Sequence, residues 1–488
     1  MDKKLWLALA VVAASSLARA QTPPSEATSL ALQQANRLQQ LQELQEDQRY
    51  RANPDVPTDQ RLLIDYGGYA SFDYLSLDDA SHNNHGLRDY QVVGYTRLNL
   101  DGAQEVFARL RVDYLDYNPG DSFDGRGSRL IDPTIDRAYY RFDLQRAQAA
   151  YGNGAGDFQA VVEAGRDLVY WGNGLVLTEV LDGGKLDMGN SVVNFEMIGG
   201  ITPTRTVDID TSRPDFDHNT RRLFVGSMLS AQIGNHRPYV YGLIQNDDNN
   251  KNVSETGPIT THFDYNSVYI GAGSEGNFGD RLHYGVEAAY EGGNTLSNSF
   301  VSAGGTLVPV IQTRDSINAW AMDSRLDYLT EGPHETRLSA ELILASGDAD
   351  RGTSTNTFNG NTPHTEDHGF NAFGLLNTGL AFAPDVSNLL AARVGVSTFP
   401  PPTTSAFRRL QIGGDFFAYG KLLRDAPIDE ETSDQRYLGV EPDLYVNWQV
   451  ASDVTLALRY GVFFPNRAAL GPQADSRQFF FGGLTFAF

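Results

Sequence analysis

The sequence predicts an all-β fold, a transmembrane antiparallel β-barrel of about 18 strands with a short N-terminal helix. Three observations carry this. The first is the stretch from Tyr437 to Phe488, three strand-like runs joined by Ser452-Asp453 and by a longer polar segment. In its middle run Leu456, Leu458, Tyr460, Val462 and Phe464 share one face, and Thr455, Ala457, Arg459, Gly461 and Phe463 the other. Period-2 alternation marks a strand with a different solvent on each face. The last run sets Phe480, Leu484, Phe486 and Phe488 on one face, as in a strand that closes a barrel, because lipid tolerates no open sheet edge. The second observation is that short and long connections alternate along the chain, as they do between the two ends of a barrel. A soluble β-sandwich could end on such a strand, but it has no reason to sort its loops by length. The third is composition. With 23 Tyr, 26 Phe, 48 Gly and a mean hydropathy of −0.35, the chain is far too polar for a helical membrane protein. A barrel shows lipid only alternate residues of each strand.

Residues 1–20 have the pattern of a signal peptide: Lys3 and Lys4, an apolar core, then Ala18-Arg19-Ala20 before Gln21. That core is too short to span a bilayer as a helix. Residues 21–60 form a leader. Ser25 is a plausible N-cap, Glu26 to Arg51 is rich in the helix formers Gln, Leu and Glu, and Pro54 and Pro57 end the helix. Ala27, Ala31, Leu38 and Leu41 share a face that Gln34 and Gln45 interrupt. This segment is either a solvated tether or a periplasmic helix that self-associates or binds a partner.

Residues 61–488 form the barrel. Amphipathic runs fall near 61–76, 88–101, 103–116, 135–147, 157–171, 182–190, 192–203, 221–233, 236–248, 261–277, 280–295, 315–330, 334–348, 387–400, 407–423, 437–451, 454–465 and 478–488. Tight turns are expected at Asp101-Gly102, Asn190-Ser191, Gly234-Asn235, Gly279-Asp280 and Glu331-Gly332-Pro333. Longer polar segments lie between, at 77–87, 117–134, 172–181, 204–220, 249–260, 296–314, 349–386, 424–436 and 466–477. The apolar stretch Phe373 to Pro384 belongs to a loop, because a strand there would break the alternation.

One face of each run is apolar and is assigned to lipid, as with Ala108, Leu110, Val112 and Tyr114, Ala138, Tyr140, Phe142 and Leu144, or Leu444, Val446, Trp448 and Val450. The opposite faces carry charge: Arg97; Arg109, Arg111 and Asp113; Arg137, Arg141 and Asp143; Asp323, Arg325 and Asp327; Arg337 and Glu341; Arg393; Arg409 and Asp415; Glu441 and Asp443; Arg459. Arginine facing lipid near the midplane costs about 2–4 kcal/mol, so these rows should line a polar lumen. The chain has 33 arginines against five lysines. Guanidinium grips carboxylate in a planar, bidentate way, which suits a passenger with spaced carboxylates. It also suits a lattice of Arg and acid side chains that braces the wall. Several weak sites in a row would let a passenger both enter and leave.

The motifs then show a resemblance. Gly165-Arg166-Asp167, Tyr170-Trp171-Gly172 and Asp182-Gly183-Gly184-Lys185-Leu186 resemble the GRQ…YG…DGVRL pattern of the alginate-export family of outer-membrane barrels. Asp167 stands where the family has Gln, and Lys185 where it has Arg. Phe373 to Asn388, with Gly379 and Asp385, is similar to that family's aromatic outer loop. Tyr437 to Leu444 resembles its LG-ElDl strand, and Gly461 to Pro465 its FFPG turn, with Asn466 in place of the final Gly. The resemblance implies an 18-stranded barrel in the outer membrane of a Gram-negative-type bacterium, passing an alginate-like anionic polysaccharide or its fragments through an arginine-lined pore. The candidate substrate-contacting residues are Arg109, Arg111, Arg137, Arg141, Arg166, Lys185, Arg325, Arg337, Arg393 and Arg459.

Two rival functions remain open. A general or sugar-uptake porin would share the barrel and differ only in what its lumen selects: the dominance of Arg over Lys favours an anionic passenger, a polysaccharide or a small anionic solute, and the lumen acids count against one. An outer-membrane enzyme would need a nucleophile beside a base. The candidates are loop histidines: His82 and His85 after Ser81, His218, and His364 with His368. No spacing fixes a Ser-His-Asp set among them, so no catalytic residue and no cofactor is expected. The acidic stretch Asp208-Ile209-Asp210, with Asp215 and Asp217, is either solvated surface or a site where Ca²⁺ bridges oxygen-rich loops. With no cysteine the chain has no disulfide or thiolate site, and a net charge of −23 makes nucleic acid a poor partner. Outer-membrane lipid is the expected surroundings.

Overall fold

The alternating runs close into a barrel. In a computed structural model, Arg37 and residues 62–488 are described, apart from 123–124, 153–155, 250–252, 257, 304–305, 333, 401–406 and 408. The signal peptide and the leader helix, Arg37 excepted, lie outside the described residues. The first nine strands are β1 (Leu62–Asp78), β2 (Asn84–Leu100), β3 (Gln104–Tyr117), β4 (Arg129–Asp143), β5 (Gln159–Trp171), β6 (Leu177–Gly189), β7 (Val193–Ile201), β8 (Arg222–Ala231) and β9 (His236–Asp247). Two small hairpins, β10 (Val253–Thr256) with β11 (Ile259–His262) and β14 (Phe300–Ala303) with β15 (Thr306–Pro309), stand apart in loops. The second half of the wall is β12 (Tyr265–Phe278), β13 (Leu282–Leu296), β16 (Arg314–Leu329), β17 (Arg337–Ala345), β18 (Leu389–Thr398), β19 (Leu410–Lys421), β20 (Tyr437–Gln449), β21 (Val454–Pro465) and β22 (Arg477–Ala487).

These form one 18-stranded antiparallel sheet in which β1 pairs with β22, Tyr69 opposite Ala487 and Leu77 opposite Phe479. Phe488 and Gly68 exchange two backbone hydrogen bonds of 2.9 Å at that seam, so no edge is left there. The outward rows are those the alternation assigns to lipid. Leu110, Tyr114, Tyr140, Leu338, Leu342, Leu444, Tyr460, Phe464, Phe480, Leu484 and Phe486 are 38–62% exposed. Their neighbours in sequence, Phe463, Phe479 and Phe481, are buried inside.

Three expectations are corrected. The run placed at 135–147 begins earlier, at Arg129, and stops at Asp143, whose side chain caps a short helix, Leu144–Ala150, by accepting from the Arg146 N–H. Leu144 is therefore helical rather than part of a lipid-facing row. The first loop is residues 79–83, not 77–87, because Asp79 folds the chain over itself: its carboxylate accepts from the Ser81 and Asn83 N–H groups at 2.8 Å and meets the His85 ring at 3.0 Å. The third loop is residues 172–176, because β6 starts at Leu177. Elsewhere one end of the barrel carries short turns and the other long loops. These are the turn end and the loop end below.

Candidate functional site

The lumen is divided by two segments that fold into it. The first is the outer part of the β5–β6 hairpin. β4 pairs with β5 only from Asp143–Val161 to Ala138–Arg166, and β6 pairs with β7 only from Gly189–Asn194 to Asp182–Ile201. Beyond Arg166 and before Asp182 the two strands pair with each other and with no other strand of the wall. Residues 167–181 have left the wall. The bend falls on a cross-strand pair of glycines, Gly165 opposite Gly183. Gly165 has φ 140°, and a Cβ there would lie 2.2 Å from the Ala138 carbonyl oxygen; one on Gly183 would lie 2.1 Å from that of Gly199. Only a residue without Cβ lets the neighbouring backbones approach this closely. Gly165→Val is expected to lower the yield of refolded barrel and to widen the pore of whatever folds. Heat-modifiable gel mobility and single-channel conductance would check both.

Inside, the hairpin is pinned by a wall carboxylate. Asn173 N–H donates to Glu287 at 2.5 Å, and the Tyr241 and Tyr239 hydroxyls donate to the same group at 2.5 and 3.3 Å. Trp171 is fully buried with its ring 6.0 Å from that of Tyr241. The second inward segment is loop 346–388, which contains the aromatic stretch Phe373 to Asn388. Glu291 holds it through Asn371 N–H (2.8 Å), and Glu441 through the N–H groups of Leu380, Ala381 and Phe382 (2.6, 2.7 and 2.8 Å). Phe382 stacks on Phe463 at 4.0 Å. The two segments knit together, Thr178 N–H to Phe373 O and Leu375 N–H to Gly174 O. The partition thus hangs on Glu287, Glu291 and Glu441. Glu441 is legible in the sequence as a lumen acid, but Glu287 and Glu291 escape notice there. Their one signal is acid at i and i+4 on the inward row of an otherwise small and apolar strand.

Loop 202–221 closes part of the loop end over a buried triad. Asp208 accepts from Arg213 (3.1 Å) and from Arg222 (2.8 Å), and all three side chains are about 1% exposed or less. Burial would raise the Asp208 carboxyl, but the two guanidinium groups outweigh it and hold it below the ordinary carboxylate range. Asp210, bonded to Ser212 and Thr357, is pushed the other way by burial. Asp217 pairs with Arg126 at 2.9 Å. Asp208, Asp210 and Asp217 thus each bond protein groups. Among the described residues no group of three or more His, Asp and Glu is arranged to hold a metal.

The candidate cations lie on two opposite walls. On the β3–β6 side Arg109 grips Asp136 (2.7 Å), Arg111 meets Asp113 (2.9 Å), Arg137 meets Asp167 (2.9 Å) and Lys185 meets Glu196 (2.9 Å). Arg141 stands opposite Glu163. Arg166 pairs with Asp182 through two bonds of 2.5 and 2.7 Å, and it lies in register with Ala138 and Ile201, on the outward row. On the β16–β21 side Arg337 holds Asp327 (2.8 Å), and Arg393 holds Glu341 (2.7 Å) and Asp415 (3.4 Å). Arg459 bonds Asn447 and sits over the Tyr445 ring. Arg325 reaches across to the inward hairpin, where it lies beside Asn173 and Tyr170. At the turn end a cavity of about 500 Å³ is lined by Arg97, Arg141, Arg146 and Lys185 together with Glu105, Asp143, Glu163, Asp167 and Asp187.

Two of the loop histidines have partners within the loops. His85 bridges Asp79 and Asp121 at 3.0 and 2.9 Å, and His82 meets the Gln473 carbonyl. Of the leader, Arg37 donates to the carbonyls of Ala383 and Pro384 and to Asp385 (2.5 Å), at the loop end. Asp429 lies beneath, pushed well above the ordinary carboxylate range by burial and by the charges of Asp385 and Glu430.

Among solved structures the chain is similar to Pseudomonas aeruginosa OccK8 (OprE), with 9% identity, TM-score 0.50, and coverage of 87% of this chain and 98% of that one. It is also similar to P. aeruginosa OccK11 (OpdR), 12% identical with TM-score 0.49 (87% and 95% covered), and to Acinetobacter baumannii OccAB1, 13% identical with TM-score 0.49 (87% and 96% covered). At such identities the likeness to OccK8 speaks for the barrel alone. No curated protein matches the sequence. The sequence model described as "Alginate export" matches residues 73–479, a span that takes in the bent hairpin, the inward aromatic loop and nearly all of the wall. The protein belongs to the alginate-export family of outer-membrane β-barrel channels.

Proposed function

We propose that this channel passes an anionic, alginate-like polysaccharide or its fragments. The observation that carries the reading is the approach of the inward hairpin to Arg325 on the far wall: a Cβ on Gly285 would lie 2.7 Å from Arg325 Nε and 3.3 Å from Asn173 Nδ2, so the two meet there. It narrows the lumen between two rows of guanidinium groups. Nearly every one of these cations already holds a wall carboxylate, as Arg137 holds Asp167 and Arg393 holds Glu341. A passenger carboxylate would exchange with that partner rather than fill an empty site, so each stop stays shallow and the chain keeps moving. The same pairs also brace the wall, and the two roles are compatible. No bond-making chemistry is assigned to the lumen.

A general or sugar-uptake porin is the second reading. It is favoured by the turn-end cavity, where five acids face four cations. Single-channel recording across a salt gradient, then with added polyuronate, separates the two. Anion selectivity with polyuronate block supports the polysaccharide. Cation selectivity without block supports the general porin. Arg325→Ala is expected to move the reversal potential toward cation selectivity while leaving the barrel folded, since it removes a cation where the inward hairpin meets the far wall.

A further inference from the structure

We propose that the barrel wall has a lateral portal between the outer half of β4 and loop 202–221, and that it binds the phosphate head group of an amphiphile in the surrounding leaflet. The hairpin that narrows the lumen is the piece of wall missing here. From Arg129 to Arg137, β4 pairs with β3 alone, and β7 ends at Ile201, opposite Asp182. The open stretch contains Pro133. Proline has no N–H to give to a ladder and sits in sheets only at edges, strand starts or bulges.

Side chains, not a backbone ladder, reach the open edge. Arg205 donates to Thr134 Oγ1 (2.5 Å) and to the Asp132 carbonyl (3.3 Å). Arg166 donates to the Ile135 carbonyl (2.8 Å). The gap lies within the apolar belt, because exposed Leu110, Tyr114, Leu130 and Ile135 flank it on one side and exposed Leu223 and Val225 on the other. An unpaired sheet edge facing hydrocarbon is costly, and so is the Arg166–Asp182 pair on an outward row, 27% and 40% exposed. Both are tolerable if the seam is polar and open to head groups.

Charge selects the occupant. Arg166 has Asp182, but exposed Arg205 bonds only uncharged oxygens and forms no ion pair among the described residues. A guanidinium beside apolar flanks fits an anion that carries acyl chains. A phosphate borne by a lipid supplies both parts, and a soluble anion only the first. The site does not depend on what passes through the lumen.

The test uses the full refolded barrel and native mass spectrometry, with phosphatidylglycerol as the probe, phosphatidylcholine as the control and inorganic phosphate as the soluble competitor. The wild type is expected to retain phosphatidylglycerol over phosphatidylcholine. Arg205→Gln should weaken that retention about tenfold, the loss of one charge-assisted bond, and Arg205→Lys should restore most of it. Arg205 is exposed, and unchanged gel mobility and conductance would show that the variants fold. Equal retention by wild type and Arg205→Gln overturns the proposal. So does displacement by millimolar inorganic phosphate, which would mean a soluble-anion site. If Arg205→Gln fails to fold, the choice between the two lipids on the wild type and on Arg205→Lys decides it: no preference for the phosphoglycerol head overturns the proposal.

Discussion

Glu441→Ala is expected to raise single-channel conductance and its noise while the barrel stays assembled. The Glu441 carboxylate is the acceptor for three consecutive backbone N–H groups, those of Leu380, Ala381 and Phe382, and it is completely buried. A buried donor left without its acceptor costs about 1–3 kcal/mol. Three together make the inward position of loop 346–388 unfavourable by several times that. The stacking of Phe382 on Phe463 opposes release but supplies no acceptor. The wall around Glu441 is held by ladders to β19 and β21, so the loss should be confined to the partition. Glu441→Gln keeps the shape and one carbonyl acceptor and should fall between. Conductance equal to wild type in both variants would show that the loop is held in place by other contacts.

Asp208→Ala should release loop 202–221. It would take away the carboxylate that two buried guanidinium groups, those of Arg213 and Arg222, share. Removing one partner of a buried ion pair costs about 3–5 kcal/mol. Asp247, 3.4 Å from Arg222, offsets a part of this for that residue. The measurement is limited proteolysis from the loop end, with cleavage within 202–221 expected in the variant. The same triad sets a pH dependence. The folded Asp208 carboxyl lies below its ordinary value of 3.8. Its stabilisation is therefore complete above that value and is lost as pH falls through the lower, folded one. The wild-type loop should become protease-sensitive only in strong acid, and Asp208→Ala should be sensitive already at neutral pH.

Much of this molecule was legible beforehand, and the legible parts share a cause. Strand number, strand faces and the closing strand at Phe488 all follow from period-2 alternation, which depends on neighbours in sequence. The bend at Gly165 and Gly183 was visible as a motif, but not as a bend. Its reason is the approach of the Ala138 and Gly199 carbonyls from other strands. The early start of β4 was hidden because Pro133 belongs in a loop by its chemistry, and only an edge left open by its neighbour admits it. The cations were identified by type and face. Their partners were not, and the partners decide whether a guanidinium is a free site or a brace.

The sequence by itself determined a barrel, its two solvents and its family, because lipid and water impose a repeating local pattern that any single strand displays. The tertiary structure alone decided where the lumen narrows and where the wall opens. Those features rest on single buried carboxylates that meet backbone far away in the chain, Glu287 with Asn173 and Glu441 with Phe382. Such contacts obey no period, so no local pattern announces them.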